Sequence, residues 1–290
     1  TLIEIYQRLL AEMVPSYRRK FYTDFKMDNR FVGIVGARGV GKTTFLINYL
    51  REHFKGSSEA LYLSADNLYF IEHTLVETVD RFVKDFNGKF LCLDEIHRYK
   101  NWNQELKNIY DSYPTLSVIF SGSSSLDLVK GQYDLSRRAI LKPMYGFSFR
   151  EFLETQEKRS FPVLSLKDLY KDHSKYAIEL GKTPKLLGYL KNYFKMGYYP
   201  TFLELGSYEA YQASLKSIVD KIIFQDISSF YSLNTSNLDT LKKIIYFFAT
   251  SQPGSVNINR LAVNLKKDNS TIADYIQILR DTGLLRFLLQ

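Results

Sequence analysis

Residues 36–43 read GARGVGKT, which fits Gly-x-x-x-x-Gly-Lys-[Ser/Thr] with Gly36, Gly41, Lys42 and Thr43 in the fixed positions. At average residue frequencies such a match arises by chance in a chain of this size about one time in a hundred. The chemistry of the run is phosphate binding. Glycine lets the backbone turn tightly and aim successive N–H groups at phosphate oxygens, where a helix N-terminus adds partial positive charge. The contacting residues are then Gly36, Ala37, Arg38, Gly39, Val40, Gly41, Lys42, Thr43 and Thr44. The Lys42 ammonium can reach β- and γ-phosphates, and the Thr43 hydroxyl can be offered to Mg²⁺.

Hydrolysis needs a metal anchor and a group that activates water. The run FLCLDE at 90–95 supplies both, because four apolar residues are followed by two carboxylates. Asp94 emerges where a buried strand ends, which is where open parallel sheets bind ligands, and is read as the carboxylate that anchors Mg²⁺. Glu95 is read as the general base. A later run, LSVIF, leads into SGSSS at 121–125, whose Ser121 or Ser123 could present a hydroxyl to the γ-phosphate or the attacking water. His97 has no second His or Cys at ligand spacing, so it is assigned a supporting role and not a metal site.

These residues need rigid elements behind them. Short apolar runs at 31–35 (FVGIV), 60–64 (ALYLS), 90–94 (FLCLD), 116–120 (LSVIF) and 139–141 (AIL) alternate with helical segments. That alternation predicts parallel strands buried on both faces, joined by crossover helices: an α/β domain. The phosphate loop falls between FVGIV and the helical TFLINYLREHF, at the strand-to-helix junction the motif requires. Residues 2–20 read as an amphipathic helix interrupted near Pro15. Beyond Phe149 the strand series stops and the pattern becomes helical.

The loop GARGVGKTTFL, the acidic strand with LDEIHRYKNWNQELKNIYD, the strand-loop IFSGSSSLDL and the segment DLSRRAILKPMYGFSFREFL occur in that order. Together they resemble the AAA-like P-loop ATPases of archaea and bacteria, closely over residues 30–155. YLKNYFKMGYYPTFLE at 189–204 is similar to the helical segment that follows in that family. The resemblance implies the P-loop NTPase fold of the additional-strand type, a parallel sheet of order 5-1-4-3-2, and ATP as nucleotide. It also implies that Arg137 or Arg138, just before the fifth strand, approaches the γ-phosphate of its own or a neighbouring subunit, where an arginine neutralises charge developing in phosphoryl transfer.

The chain of 290 residues is 45% hydrophobic and 24% charged, which fits folded cores and excludes wholesale disorder. One cysteine, Cys92, excludes an intrachain disulfide and points to a reducing compartment. No apolar stretch is long enough to span a membrane, and Glu4 and Glu12 interrupt the first apolar residues, so a cytoplasmic protein without a membrane partner is expected. The net charge of +8 permits a polyanionic partner without requiring one.

Residues 238–290 carry three helical stripes: Leu241, Ile244, Ile245 and Phe248, then Leu261, Ala262 and Leu265, then Ile272, Tyr275, Ile276 and Leu279. With LLRFLLQ as a strand opening a wing, they form a winged helix-turn-helix pattern. In a DNA-binding reading Ser270, Thr271, Asp274 and Gln277 face outward, and Lys266 and Lys267 meet phosphates. Residues 256–290 hold five basic against three acidic residues, a modest footprint that leaves a DNA or a protein partner open. Four parts are expected: an N-terminal helical segment (1–29), the ATPase domain (30–155), a helical extension (156–237) and the winged helix (238–290), the last cut short in this chain. The function expected is a Mg²⁺-dependent ATPase that couples nucleotide state to the C-terminal module, in a chain that can form homo-oligomers. The alternative is an ATP-binding switch or scaffold with negligible hydrolysis.

Overall fold

The computed structural model describes residues 1–12, 14–122, 135, 137–231, 233–252, 254 and 257–286. Five parallel strands form one sheet: β1 (Phe31–Val35), β2 (Ala60–Ser64), β3 (Phe90–Asp94), β4 (Ser117–Gly122) and β5 (Ala139–Pro143). Their spatial order is β2-β3-β4-β1-β5, which reads 5-1-4-3-2 from the β5 edge. β1 lies at the junction between β4 and β5, with Phe31 opposite both Val118 and Ala139. β1 and β3 are buried at every position, which is why FVGIV and FLCLD are continuous apolar runs and not alternating ones.

Among the described residues the crossovers are the helices Lys42–Phe54, Leu75–Phe86 and Trp102–Ser112. The second starts at a capping box, in which the Thr74 hydroxyl accepts from Glu77 N–H and the Glu77 carboxylate accepts from Thr74 N–H. Both faces of the sheet are covered, and the core comprises strand residues such as Val32, Ile34, Leu91 and Phe120 packed against Phe45, Leu46 and Leu106. The N-terminal amphipathic segment is shorter than expected. Its helix runs Leu2–Glu12 and buries Tyr6, and a separate short helix, Lys20–Asp24, follows Pro15.

After Phe149 only helices are present among the described residues. They run Phe149–Glu157, Leu166–Gly181, Leu186–Asn192 and Tyr208–Lys221, the last continuing into a π-helical turn, Ile222–Ile227. A second core is built by that turn with the helices Thr235–Thr250, Ile258–Leu265 and Asn269–Asp281. Leu241, Ile244, Leu261, Ile272 and Leu279 are fully buried in it, at the positions of the three stripes. Residues 284–286 form no strand, and 287–290, where the wing strand was expected to continue, lie outside the described residues.

Candidate active site

The loop 36–41 leaves the C-terminal end of β1 and enters the helix Lys42–Phe54. Gly36 has no room for a side chain, since a Cβ there would stand 2.1 Å from the Met144 carbonyl oxygen. Gly41 precedes the helix at φ 94°, a left-handed conformation that L side chains rarely adopt. The loop is held from behind by Arg19, whose guanidinium donates to the carbonyls of Val40 (2.8 Å), Tyr145 (2.8 Å) and Gly146 (3.0 Å) and pairs with Glu151. Both charges of that pair are buried. Burial alone would raise the Glu151 carboxyl, yet Arg19 and the hydrogen bonds from Ser148 hold it below its ordinary value.

The Lys42 ammonium is buried inside the loop and donates to Gly36 O (2.9 Å) and Ala37 O (3.0 Å). Burial lowers its pKa, against the opposing charges of Glu95 and Asp94. Thr43, in the first turn of the helix, donates its hydroxyl to Asp94 Oδ2 at 2.5 Å. Asp94 is 2% exposed and fully engaged. Its Oδ2 also accepts from the Tyr62 hydroxyl at 2.9 Å, and its Oδ1 accepts from Ser121 Oγ and from Glu95 N–H (3.1 Å).

This donor set fits Mg²⁺, which takes hard oxygen ligands and relies on few from the protein. Thr43 Oγ1 and Asp94 would hold it, Thr43 directly and Asp94 in large part through water. Among the described residues no group of three or more His, Cys, Asp or Glu gathers as a metal cage.

Glu95 follows at φ 51° and opens the short turn Ile96–Arg98. Its Oε2 is buried and accepts no hydrogen bond from any described residue. Burial raises its pKa, while the Lys42 charge pulls the other way. His97 Nε2 stands 3.5 Å from that same oxygen. Burial, with the charges of Arg98, Lys42 and Arg38, lowers the His97 pKa to about 3, so the imidazole beside Glu95 is neutral.

The structure thus brings the loop, Thr43, Asp94, Glu95, His97 and Ser121 together. Ser121 touches Asp94 and the Glu95 amide, which makes it a support of the carboxylates. Ser123 lies outside the described residues. Arg137 and Arg138, expected near the γ-phosphate of their own or a neighbouring subunit, are placed away from the phosphate loop of the same chain. Both precede β5, which runs parallel to β1, so they sit at the N-terminal edge of the sheet while the loop leaves its C-terminal edge. Five strand residues, about 16 Å, lie between. Arg138 instead forms a two-pronged pair with Asp111, at 3.0 and 2.9 Å, and Arg137 is exposed.

Four participants carried no role in the sequence reading. Tyr62 was legible in the strand register, because residues two apart share a face and Ser64 pairs with Asp94. Arg98 stands within the quoted DEIHR run, and Arg19 within an ordinary basic cluster. Asp226 is a single carboxylate inside the apolar IIFQDI, and that isolation was its signal.

Residues 28–153 match the family model described as an AAA domain, and residues 187–290 match one described as a domain of unknown function. Over residues 28–153 the chain is therefore similar to AAA domains. Two uncharacterized proteins of Methanocaldococcus jannaschii are 28% and 26% identical over 87% and 90% of this chain. An uncharacterized protein of Haemophilus influenzae is 24% identical over 89% of it. The chain spans 55%, 56% and 62% of these three relatives, little more than half their length. Among solved structures, AMPPCP-bound DnaA from Aquifex aeolicus is 17% identical, with a TM-score of 0.36 over 97% of this chain and 88% of that one. A DNA polymerase III gamma subunit-related protein from Thermotoga maritima is 12% identical, with a TM-score of 0.35 over 98% of each chain. Likenesses this loose add nothing to the fold, which rests on the sheet itself. No helix among the described residues is long and apolar enough to cross a membrane.

Proposed function

We propose that the chain binds ATP with Mg²⁺ and hydrolyses it, and that nucleotide state is coupled to its C-terminal helices. The observation that carries this is one carboxylate pair. Asp94 is tied to the Thr43 hydroxyl of the phosphate loop at 2.5 Å, and the adjacent Glu95 keeps a buried oxygen without a hydrogen-bond donor. The loop amides and Lys42 would bind the β- and γ-phosphates. Mg²⁺, when bound, would neutralise charge on them.

In the reaction Glu95 orients a water and accepts its proton as the water oxygen bonds to the γ-phosphorus. The bond from that phosphorus to the bridging oxygen breaks, leaving ADP and phosphate. Ser121 and Tyr62 hold Asp94 in place, and neutral His97 keeps the Glu95 side chain from turning away. In an assembly of several copies, Arg137 and Arg138 would face a neighbour's nucleotide and not their own.

The four-part division at residues 29, 155 and 237 stands as part of this proposal, with the helices Thr235–Thr250, Ile258–Leu265 and Asn269–Asp281 as a winged-helix module for DNA or a protein. Its support is the pairing of a buried face with an outer face on which Ser270, Asp274, Gln277 and Lys266 are exposed. The test is steady-state phosphate release with Mg²⁺. Glu95→Gln should keep ATP binding and lose turnover by about a hundred-fold or more. A parental rate in that variant would remove Glu95 as base. A parent that binds ATP without releasing phosphate would instead be a nucleotide switch.

A further inference from the structure

Asp226 belongs to the π-helical turn Ile222–Ile227, far along the chain from the phosphate loop, and is 5% exposed. A carboxylate so buried requires cationic partners. Two cationic partners come from the nucleotide side. Arg98, which closes the turn after Glu95, donates to Asp226 Oδ1 at 2.6 Å, and Arg38, inside the phosphate loop, stands with Nη1 3.6 Å from the same oxygen. The Asp226 charge also reaches Lys42 and Glu95.

The elements around Asp226 close on the loop as well. Ile218, two helical turns earlier, packs so tightly that a Cβ on Gly39 would lie 2.9 Å from its Cδ1. On another flank a Cβ on Gly283, beyond the last helix, would lie 3.3 Å from the Ala37 Cβ. The helical part therefore sits on the loop through apolar contacts and one anion. Arg38 Nη1 is buried, and at 3.6 Å it is too far from Asp226 for a hydrogen bond, with no other acceptor among the described residues. One carboxylate satisfies Arg98 and leaves Arg38 short of an acceptor. A phosphoryl group, with three oxygens, could serve both guanidiniums.

We propose that Asp226 is a built-in occupant of the seat for the terminal phosphate. Arg38 and Arg98 bind the γ-phosphate of a nucleoside triphosphate, and with a diphosphate bound they hold Asp226 instead. A triphosphate competes with the turn Ile222–Ile227 for two guanidiniums, and a diphosphate does not. Because Ile222, Ile223 and Ile227 of that turn are buried in the second core, exchanging one anion for the other reaches the C-terminal helices directly. The inference rests on the reading that the loop binds ATP.

The test is calorimetric titration of parent and Asp226→Asn with ADP and with a non-hydrolysable ATP analogue, each with Mg²⁺. In the Asn variant the analogue should bind about five- to a hundred-fold more tightly, with ADP affinity unchanged, the size of a typical coupling between two sites. Independently of how the variant folds, amide hydrogen exchange over residues 208–231 of the parent should be faster with the analogue than with ADP. A triphosphate-to-diphosphate affinity ratio that Asp226→Asn does not move, or equal exchange with both nucleotides, overturns the proposal and leaves ATP binding intact. A parent that binds neither nucleotide overturns both readings.

Discussion

The two cores of the chain bury different things. Around the sheet, Arg19, Lys42, Asp94, Ser121 and Glu151 are all nearly inaccessible, and each is held by a charge or hydrogen-bond partner. The second core, from Ile222 to Leu285, is aliphatic and aromatic, with threonine hydroxyls satisfied by their own helix and Asp226 directed back toward the loop. Burying charge costs several kcal/mol per ion unless it is compensated, so each buried ion around the loop depends on the partners it has. The C-terminal helices bury their apolar stripes against one another and leave Lys266, Ser270, Asp274 and Gln277 exposed.

The sharpest way to break this contrast is to remove the charge at the centre of the loop. Lys42→Ala should abolish detectable ATP binding in calorimetry while far-ultraviolet circular dichroism and the second core stay intact, because the Lys42 ammonium donates to the loop carbonyls of Gly36 and Ala37. Nucleotide affinity equal to the parent would dissolve the assignment of the loop.

A second substitution asks whether the buried charges are structural. Arg19→Ala leaves Glu151 buried without its cation and removes the donors to Val40, Tyr145 and Gly146. Removing one partner of such a pair costs about 3–5 kcal/mol, to be read from urea unfolding at neutral pH. The pH dependence follows from the lowered Glu151 pKa. The pair's contribution is present above the ordinary carboxyl value of 4.5 and is lost as pH falls through the lower folded value. In Arg19→Ala only the Ser148 hydrogen bonds still oppose burial, the folded value rises, and that acid-side loss should shrink. Stability within about 1 kcal/mol of the parent would mean the cluster adds nothing to the fold.

How much of this was legible in the sequence differs between the two regions for a physical reason. The strand runs at 31–35, 60–64 and 90–94 coincide with β1, β2 and β3, because strands buried on both faces need uninterrupted apolar residues. Thr43, Asp94 and Glu95 were also legible, since their positions follow from where a strand ends and a helix begins. Contacts made across the fold were not. Nothing local in SYRRK marks Arg19 as the brace of Val40, and nothing near Asp226 tells that it meets Arg38 and Arg98. Arg137 and Arg138 were placed by resemblance, and only strand direction shows that they lie at the far edge of the sheet from their own loop.

The smallest effect is expected on the outer face of the second core. Lys266 is exposed, at a left-handed position that ends the helix Ile258–Leu265, whereas Lys267 is half-buried and reaches Asn237 at 3.4 Å. If this face meets DNA phosphates, each lysine releases about one counterion, so replacing both by alanine should flatten the log–log salt dependence of binding by about two. Anisotropy of a labelled duplex at several salt concentrations reads that slope. Glu95→Gln loaded with ATP allows comparison with the ADP form without loss of nucleotide during the measurement. Linkage requires that any difference between the two forms reappear, in the same ratio, as an effect of the duplex on nucleotide affinity. Binding that is absent at low salt, or a slope the double substitution leaves unchanged, assigns these helices to a protein partner. The charge balance of residues 256–290, five basic against three acidic, is low enough that the helices could serve either partner, so the slope and not the affinity decides.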